Sequence, residues 1–347
     1  VAAICDLDNS CIPIQGPPGT GKTYVSAVAI VELIRRGKRV AVSSNAHKAI
    51  DNLLLAVAAQ ARASGASFMI AKKISDASDD PGDPMILTTR DNADPLLVEA
   101  PLVGGTAWLF ARPEMDAAFD YIFIDEAGQV SIANMCAIGS AAQSIVLVGD
   151  QMQLPQPVQG VHPGETGLSS LEYLLEDRAT VPEDRGILLN ESRRLHPDLC
   201  KFISEAIYDG RLEAHPSTAA RYLRLRDGAH SALRPAGLSF VPIAHDGCTQ
   251  SSRAEAEAIV QLVQNLLAQE VVRDGSASPL RLGDILIVAP YNLQVNLLKQ
   301  LLPPDAQVAP ASKEAALPAS GDAAQPMYAE VRVVDFPPSS LSRRSQQ

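Results

Sequence analysis

The sequence predicts an α/β fold in which parallel sheets carry helices on both faces. Several short runs are apolar throughout, without alternating polar residues, and such runs are typical of parallel strands buried on both faces. Segments of helical spacing separate these runs, and a strand–helix–strand repetition is typical of doubly wound sheets. We predict strands at 11–15, 39–43, 121–125, 145–149 and 284–289.

Three helices follow from the spacing of apolar residues and from signals at the helix ends. The first covers 22–36 and stops at Gly37, after two arginines in its last turn. The second covers 197–208 and opens with Pro197. The third follows Ser252, which forms a capping-box pattern with Glu255.

The composition indicates a globular chain of about two domains. Its residues are 46% hydrophobic, and no apolar run approaches the ~20 residues that a membrane-spanning helix needs. The net charge of −11 argues against a protein that coats nucleic acid without specificity. The 5 scattered cysteines favour reduced thiols, so we expect a cytoplasmic protein. We also expect a monomer without a membrane partner. Because the chain begins with Val1, we expect a fragment or a processed piece.

The segment GPPGTGKT, residues 16–23, has the pattern of a phosphate-binding loop (P-loop). A predicted strand precedes it and a predicted amphipathic helix follows, which is the context that this loop requires. Glycines allow backbone N–H groups to turn toward phosphate oxygens, and the helix N-terminus adds partial positive charge. We expect Lys22 to reach the β- and γ-phosphates of ATP and the Thr23 hydroxyl to ligate Mg²⁺. The predicted nucleotide-binding residues are Gly16, Pro17, Pro18, Gly19, Thr20, Gly21, Lys22 and Thr23.

Two adjacent carboxylates, Asp125 and Glu126, end the predicted strand at 121–125. Acidic groups at the end of a buried strand require a partner, and Mg²⁺ can supply one for Asp125. Glu126 is then suited to orient and deprotonate a water for attack on the γ-phosphate. The pair favours an ATP hydrolase. A P-loop kinase, which transfers phosphate to an acceptor, has no use for an activated water.

The segment SIVLVGDQMQLPQP, residues 144–157, carries a cluster of amides at the exit of a predicted buried strand. Ligands of a parallel sheet bind at the carboxyl ends of its strands. We therefore expect the exit at Gly149 to lie beside the exits at Gln15 and Asp125. Gln153 could then hydrogen-bond the γ-phosphate or the attacking water, without neutralising the lysine or the metal.

Taken in order, seven segments resemble those of superfamily 1 helicases of the 5′→3′ branch. They also resemble, more narrowly, the helicase half of bacterial RecB-like nuclease–helicase fusion proteins. The segments are GPPGTGKT, SSNAHKAIDNLL, GGTAWLFA, IDEAGQVS, VLVGDQMQLPQPVQGVHPGE, SRRLHPDLCKFISEAIYDGRL and DILIVAPYNLQVNLLK. The resemblance implies two RecA-like lobes with ATP in the cleft and single-stranded DNA or RNA across the top. We divide the chain into a first lobe (1–180), a partial second lobe (181–302) and a divergent, disordered tail (303–347).

The resemblance also implies roles for individual residues. Gln153 matches the motif III glutamine. Arg194 matches the arginine that the second lobe directs toward the γ-phosphate, where a guanidinium stabilises the charge of the transition state. Ser44, Asn45 and Thr106 match the segments that grip the nucleic-acid strand.

Two further features are ambiguous in the sequence. Trp108 is the only tryptophan, and it could stack on a base, but a single tryptophan is more often part of a core and we expect it there. Lys72 and Lys73 we expect on a solvated face.

Three departures from the family bear on the activity. The residue before Arg194, usually aromatic in relatives, is Arg193, and the adenine-reading glutamine of many relatives would precede Val1. After residue 308 the GTVDKFQGQE and SRAR segments of relatives are missing. Two hypotheses therefore stand. One is an ATP-dependent translocase or helicase on single-stranded nucleic acid, with a nuclease domain upstream in the full-length relative. The other is a truncated, catalytically weak remnant that binds nucleotide or nucleic acid without unwinding.

Overall fold

The computed structural model describes residues 1–153, 160, 162–244 and 246–310, together with the backbone of 330–333. Its packing divides the chain into two compact units. The first consists of Val1–Leu195 and Cys200–His215, and the second of His196–Leu199 and the described residues from Pro216 onward. The predicted lobe boundary at 180 stays a prediction, but residues 181–195 and 200–215 pack with the first unit.

A parallel eight-stranded sheet is the framework of the first unit, as far as the chain is described. Its strands are β1 (Cys11–Gln15), β2 (Val40–Ser43), β3 (Ile70–Lys73), β4 (Ile86–Thr89), β5 (Leu102–Gly105), β6 (Phe119–Asp125), β7 (Ala142–Gly149) and β8 (Ile187–Leu188). Across the sheet they follow the order β4–β3–β5–β2–β6–β7–β1–β8. Two shorter strands, β9 (Glu191–Ser192) and β10 (Glu213–Ala214), pair separately.

Helices cover both faces of this sheet. Successive residues of one strand enter opposite apolar clusters: Phe123 packs in one and Ile122 in the other, and Val42 and Ala41 divide in the same way. The helices of this region are α1 (Ala2–Cys5), α2 (Lys22–Arg35), α3 (His47–Ala63), α4 (Leu96–Glu99), α5 (Ala107–Phe110), α6 (Ile132–Gly139), α7 (Ser170–Leu175) and α8 (Pro197–Ile207). The predicted α/β class with a P-loop before α2 is therefore confirmed.

The second unit contains two three-stranded sheets within the described residues. The first is antiparallel, with β11 (Tyr222–Arg224), β12 (Glu270–Arg273) and β13 (Ser276–Pro279). In the other, β14 (Ile285–Ala289) lies between parallel β15 (Gln307–Pro310) and antiparallel β16 (Glu330–Val333). The helices α9 (Arg253–Leu267) and α10 (Asn292–Leu301) contribute to the apolar cluster around β14.

The predicted elements are confirmed, whereas the prediction for the tail is partly wrong. All five predicted strands and three predicted helices are present, with ends that differ by a few residues. The tail was expected to be disordered from 303, yet 307–310 and 330–333 form strands. Val308 packs against the apolar cluster beside β14, which gives this stretch a reason to be ordered. Residues 311–329 and 334–347 lie outside the described residues. No helix in the described parts is long and apolar enough to cross a membrane.

Lys72 contradicts the expectation of a solvated face, because its side chain is 0% exposed. β3 lies inside the sheet, between β4 and β5, and both of its faces are covered, because Ile70 and Ala71 enter opposite apolar clusters. The ammonium group forms an ion pair with Asp51 of α3 and donates to the backbone carbonyl of Asp79. A buried cation is tolerated here because a carboxylate lies opposite it.

This ion pair gives a prediction about stability. Asp51→Ala should lower the free energy of unfolding by about 3–5 kcal/mol, since it leaves the Lys72 charge buried and unpaired. Urea denaturation followed by circular dichroism measures the change. The matched control is Glu32→Ala, which breaks the exposed pair between Glu32 of α2 and Arg36 directly after it and should leave stability almost unchanged. Equal losses in the two variants would contradict the assignment.

Candidate nucleotide-binding site

The ends of β1, β7 and β6 lie side by side at one edge of the sheet. Gln15 is in register with Gly149, and Asp125 with Val148. The Gly16 N–H extends the pairing by donating to the Gly149 carbonyl at 2.9 Å. The three exits that the sequence predicted to be neighbours are therefore adjacent.

Three glycines shape the P-loop, each for its own reason. A Cβ on Gly16 would collide with Lys22 Cγ, because the loop closes around the lysine side chain. Gly19 and Gly21 have φ of 80° and 88°, in the left-handed region that residues with a Cβ rarely adopt. Gly19 is doubly constrained, since a Cβ there would also collide with the Cβ of Arg194.

Lys22 is the first residue of α2, and its ammonium group donates to the Gly16 carbonyl at 2.5 Å. Within the loop, the Thr20 hydroxyl donates to the Pro17 carbonyl at 2.8 Å. The helix N-terminus therefore meets a glycine-rich turn that curves around a cation. This arrangement fits the phosphate chain of a nucleotide such as ATP.

The carboxylate of Asp125 is buried, with 7% of the residue's surface exposed. Burial raises the pKa of Asp125 to about 6; the adjacent Glu126 charge also raises it, whereas Lys22 acts in the opposite direction. A carboxylate whose charge is so poorly compensated fits a divalent cation, because Mg²⁺ prefers oxygen ligands. The second predicted ligand, the Thr23 hydroxyl, lies in the first turn of α2.

Glu126 adopts a left-handed backbone conformation, with φ of 54°. Such a conformation is strained in a residue other than glycine and persists only where the surroundings hold it. The turn after Glu126 packs backbone to backbone on the exit of β7. A Cβ on Gly128 would lie 2.6 Å from the Asp150 carbonyl oxygen, and a Cβ on Gly149 would lie 2.8 Å from the Ala127 nitrogen.

Gln153 lies at the same exit and donates through Nε2 to Asp150 Oδ2 at 2.8 Å. The structure therefore brings Gln153 to the predicted strand end and gives its amide a carboxylate partner there. The role of Gln153 toward a γ-phosphate stays a prediction.

Arg194 packs against the P-loop within the first unit, although the sequence assigned it to a second lobe. The physical reason lies in the residues before it. The Ser192 hydroxyl donates to the Pro18 carbonyl at 2.9 Å, and the Arg193 N–H donates to the Gly19 carbonyl at 2.9 Å. The side chain of Arg194 is exposed. The Arg193 side chain instead pairs with Glu191 at 3.0 Å.

The residues predicted to grip nucleic acid follow β2 and β5, which are neighbours in the sheet. Ser44 is buried, Asn45 is exposed, and Thr106 is half-buried just before α5. The Asn45 amide donates to the Gln129 carbonyl in the turn after β6. Their contact with nucleic acid stays a prediction.

Trp108 is not part of the core, because 87% of its surface is exposed. On the short helix α5, the two following residues, Leu109 and Phe110, take the inward positions and are buried. The tryptophan is thereby turned to the outside, two residues after Thr106. The sequence could not show which residues of α5 face inward.

Two residues that the sequence analysis did not select, Asp150 and Tyr208, belong to this region. The Tyr208 hydroxyl donates to Asp150 Oδ2 at 2.7 Å. Burial raises the pKa of Tyr208 and the Asp150 charge raises it further, so the hydroxyl remains a protonated donor. The available signal was the charge of Asp150 directly after a buried strand; nothing in the sequence pointed to Tyr208.

A P-loop after a strand of a parallel sheet, with an acidic pair at the end of a nearby strand, defines a P-loop nucleotide-binding domain. A family model described as "AAA domain" matches residues 1–211, and a second model with the same description matches 167–334. The chain belongs to this AAA-domain family.

Several curated proteins are similar to the chain. "DNA-binding protein SMUBP-2" of Mesocricetus auratus is 26% identical over 83% of this chain and 34% of that protein. "DNA replication ATP-dependent helicase/nuclease JHS1" of Arabidopsis thaliana is 26% identical over 84% of this chain and 22% of that protein. The chain thus spans about a third or less of the length of these relatives. They confirm the resemblance to superfamily 1 helicases, but not the narrower one to RecB-like fusion proteins.

A solved structure titled "Complex structure of Arterivirus nonstructural protein 10 (helicase) with DNA" is also similar. It is 15% identical, with a TM-score of 0.38, over 59% of this chain and 41% of that chain.

The geometry of the loop gives a prediction about nucleotide affinity. Gly19→Ala should weaken ATP binding about 10-fold or more, because the added methyl group must displace either the loop or the Arg194 backbone. Calorimetric titration with a non-hydrolysable ATP analogue measures the affinity. The control is Gly65→Ala, at a similar φ of 68° but with nothing within 4 Å, which should leave the affinity unchanged. Unchanged affinity in Gly19→Ala would refute the assignment of this loop.

Proposed function

We propose that the chain is the ATP-hydrolysing part of a helicase that moves along single-stranded nucleic acid. We also propose that this nucleic acid is DNA. The observation that carries the proposal is the convergence of the P-loop, the acidic pair and Gln153 at three adjacent strand ends. The name of the Arabidopsis relative, an ATP-dependent helicase/nuclease of DNA replication, supports it.

In the proposed reaction, the P-loop amides and Lys22 bind the phosphates of ATP. Thr23 and Asp125 would hold Mg²⁺, which when bound offsets the negative charge of the phosphates. Glu126 accepts a proton from the attacking water, and Gln153 orients that water or the terminal phosphate. Arg194 stabilises the charge that develops in the transition state.

The nucleic-acid strand is proposed to cross the edge formed by the exits of β2 and β5. Ser44, Asn45 and Thr106 would contact phosphates, and the exposed Trp108 would stack on a base. The bond from Asn45 to the Gln129 carbonyl supports a link to hydrolysis, because the Gln129 N–H in turn donates to the Glu126 carbonyl at 2.8 Å.

The finer features of the protein are also proposals. We propose a monomeric, cytoplasmic protein whose full length includes an upstream nuclease domain. The support for the nuclease is the printed name of the Arabidopsis relative, of which this chain covers 22%. The remnant hypothesis is less favoured, because the loop, the acidic pair and the glutamine are all present at one edge.

ATP turnover with and without single-stranded DNA tests this function. We expect DNA to stimulate turnover and Lys22→Ala to abolish it. Arg194→Ala should lower kcat by roughly 10³-fold or more, because the arginine acts on the transition state. The control is Arg193→Ala, a neighbouring guanidinium that pairs with Glu191, and its effect should be small.

The other outcomes of that assay identify the alternatives. ATP binding with negligible turnover in every variant indicates the remnant. Transfer of the γ-phosphate to an added acceptor, without a requirement for Glu126, indicates a kinase.

Trp108 allows a separate test of where the single-stranded DNA binds. Trp108→Ala should weaken single-stranded DNA binding about 5- to 150-fold, since base stacking contributes roughly 1–3 kcal/mol. Fluorescence anisotropy of a labelled oligonucleotide measures it, and quenching of this single tryptophan by unlabelled DNA is a direct second readout. Phe202→Ala, which removes another exposed aromatic ring of the first unit, is the control. Equal affinity in wild type and Trp108→Ala would remove this residue from the interface.

A further inference from the structure

A buried carboxylate with no role in the proposed chemistry lies at the exit of β7. Asp150 is 3% exposed, and its two oxygens accept four hydrogen bonds. Oδ1 accepts from Gln15 Nε2 at 3.2 Å and from the Met152 N–H at 3.2 Å. Oδ2 accepts from Gln153 Nε2 at 2.8 Å and from the Tyr208 hydroxyl at 2.7 Å. Each of these four donors is uncharged, so hydrogen bonds alone must compensate for the lost solvation of the carboxylate.

The donors come from three parts of the first unit. Gln15 ends β1 directly before the P-loop, Met152 and Gln153 follow β7, and Tyr208 follows α8. Gln15 is itself fixed, since its Oε1 accepts from the Val181 N–H at 2.8 Å and its Nε2 donates to the Ala179 carbonyl at 2.9 Å. Gln15 is therefore held by other bonds, Met152 donates through its backbone, and Tyr208 is buried. Gln153 is the one donor that, in the proposed function, contacts the terminal phosphate or the attacking water.

Gln153 and Tyr208 donate to the same oxygen of Asp150. This shared oxygen determines the free energy that a movement of Gln153 costs. If Gln153 turned away and Oδ2 had no other donor, a charged oxygen would be left buried and unsatisfied. An unsatisfied buried charged group is costly, and a hydrogen bond to a charged group is stronger than one between neutral groups. With Tyr208 present, Oδ2 keeps one strong donor after Gln153 leaves.

We propose that Asp150 and Tyr208 are positioning residues that act through Gln153. Asp150 holds the Gln153 amide at the strand exit, and Tyr208 lowers the free energy needed to release that amide toward the terminal phosphate of ATP. This inference rests on the proposed function, because it assumes that Gln153 contacts the phosphate or the attacking water during hydrolysis.

The test is Tyr208→Phe, which removes the hydroxyl and keeps the ring. DNA-stimulated ATP turnover should show kcat reduced about 10-fold, the equivalent of one lost hydrogen bond to a charged group. KM for ATP should stay within about twofold, because the P-loop residues that bind the phosphates are unchanged. The matched control is Tyr121→Phe. Tyr121 is equally buried in the first unit, but its hydroxyl donates to the carbonyls of Cys5 and Leu7, at 3.3 and 3.1 Å. It should behave as wild type.

A double-mutant cycle separates positioning from general structural support. In a Gln153→Ala background no amide has to be released, so adding Tyr208→Phe should change kcat by less than about twofold. The same 10-fold loss in both backgrounds, or a loss in Tyr121→Phe equal to that in Tyr208→Phe, would overturn the inference. If Tyr208→Phe does not fold, Asp150→Asn tests the hold on Gln153 instead, because an amide offers one acceptor oxygen where the carboxylate offers two. It should change kcat in the wild-type background and by less than about twofold in the Gln153→Ala background, and equal changes in both backgrounds would overturn the inference.

The Lys22→Ala variant distinguishes this inference from the proposed function. If turnover persists in Lys22→Ala, the proposed function is wrong. If Lys22→Ala abolishes turnover while Tyr208→Phe matches Tyr121→Phe, only the roles of Asp150 and Tyr208 are wrong.

Discussion

The backbone contact between the exits of β6 and β7 is the constraint on which the site depends. The two strands are paired in register, so their ends arrive at the same level of the sheet. Gly128 and Gly149 then let the two turns touch, where any side chain would push them apart by overlap with backbone atoms. The left-handed conformation of Glu126 belongs to the same contact, because it directs the chain into the turn that Gly128 completes. Backbone packing alone therefore brings the acidic pair and Asp150 together, without a contribution from side-chain hydrogen bonds.

Two buried carboxylates at this edge are accommodated in opposite ways. Asp125 lacks sufficient compensation within the protein, and burial raises its pKa to about 6. Asp150, two residues beyond Val148, the β7 residue paired with Asp125, accepts hydrogen bonds from four neutral donors. The first arrangement suits a group that binds an external cation, and the second suits a group that fixes the protein around it. The two carboxylates of the edge thus differ in how far the protein compensates their charge.

The sequence predicted those parts of the fold and site whose signals are local. The P-loop glycines, the apolar strand runs and the acidic pair each lie within a few consecutive residues. Lys72 and Trp108 were predicted wrongly, because their exposure depends on residues that other elements supply or on which side of a short helix faces inward. The bonds from Asp150 to Gln15 and Tyr208 join residues 135 and 58 positions apart, and no single-sequence pattern encodes such pairs.

The segment that carries Arg194 is tied to the first unit on both sides. Ser192 is bonded to the P-loop before it, and Tyr208 is bonded to Asp150 after it. If Gln153 responds to the terminal phosphate, the response can reach Asp150 and then Tyr208 through hydrogen bonds within the first unit. Leu195, next to Arg194, packs against the apolar cluster that contains Tyr208. Asn45, which follows β2, donates a hydrogen bond to the Gln129 carbonyl, and Gln129 belongs to the turn that begins at Glu126. Two hydrogen bonds therefore join Asn45, one of the proposed strand-binding residues, to Glu126 of the acidic pair, and these bonds are the route that we propose for stimulation by DNA.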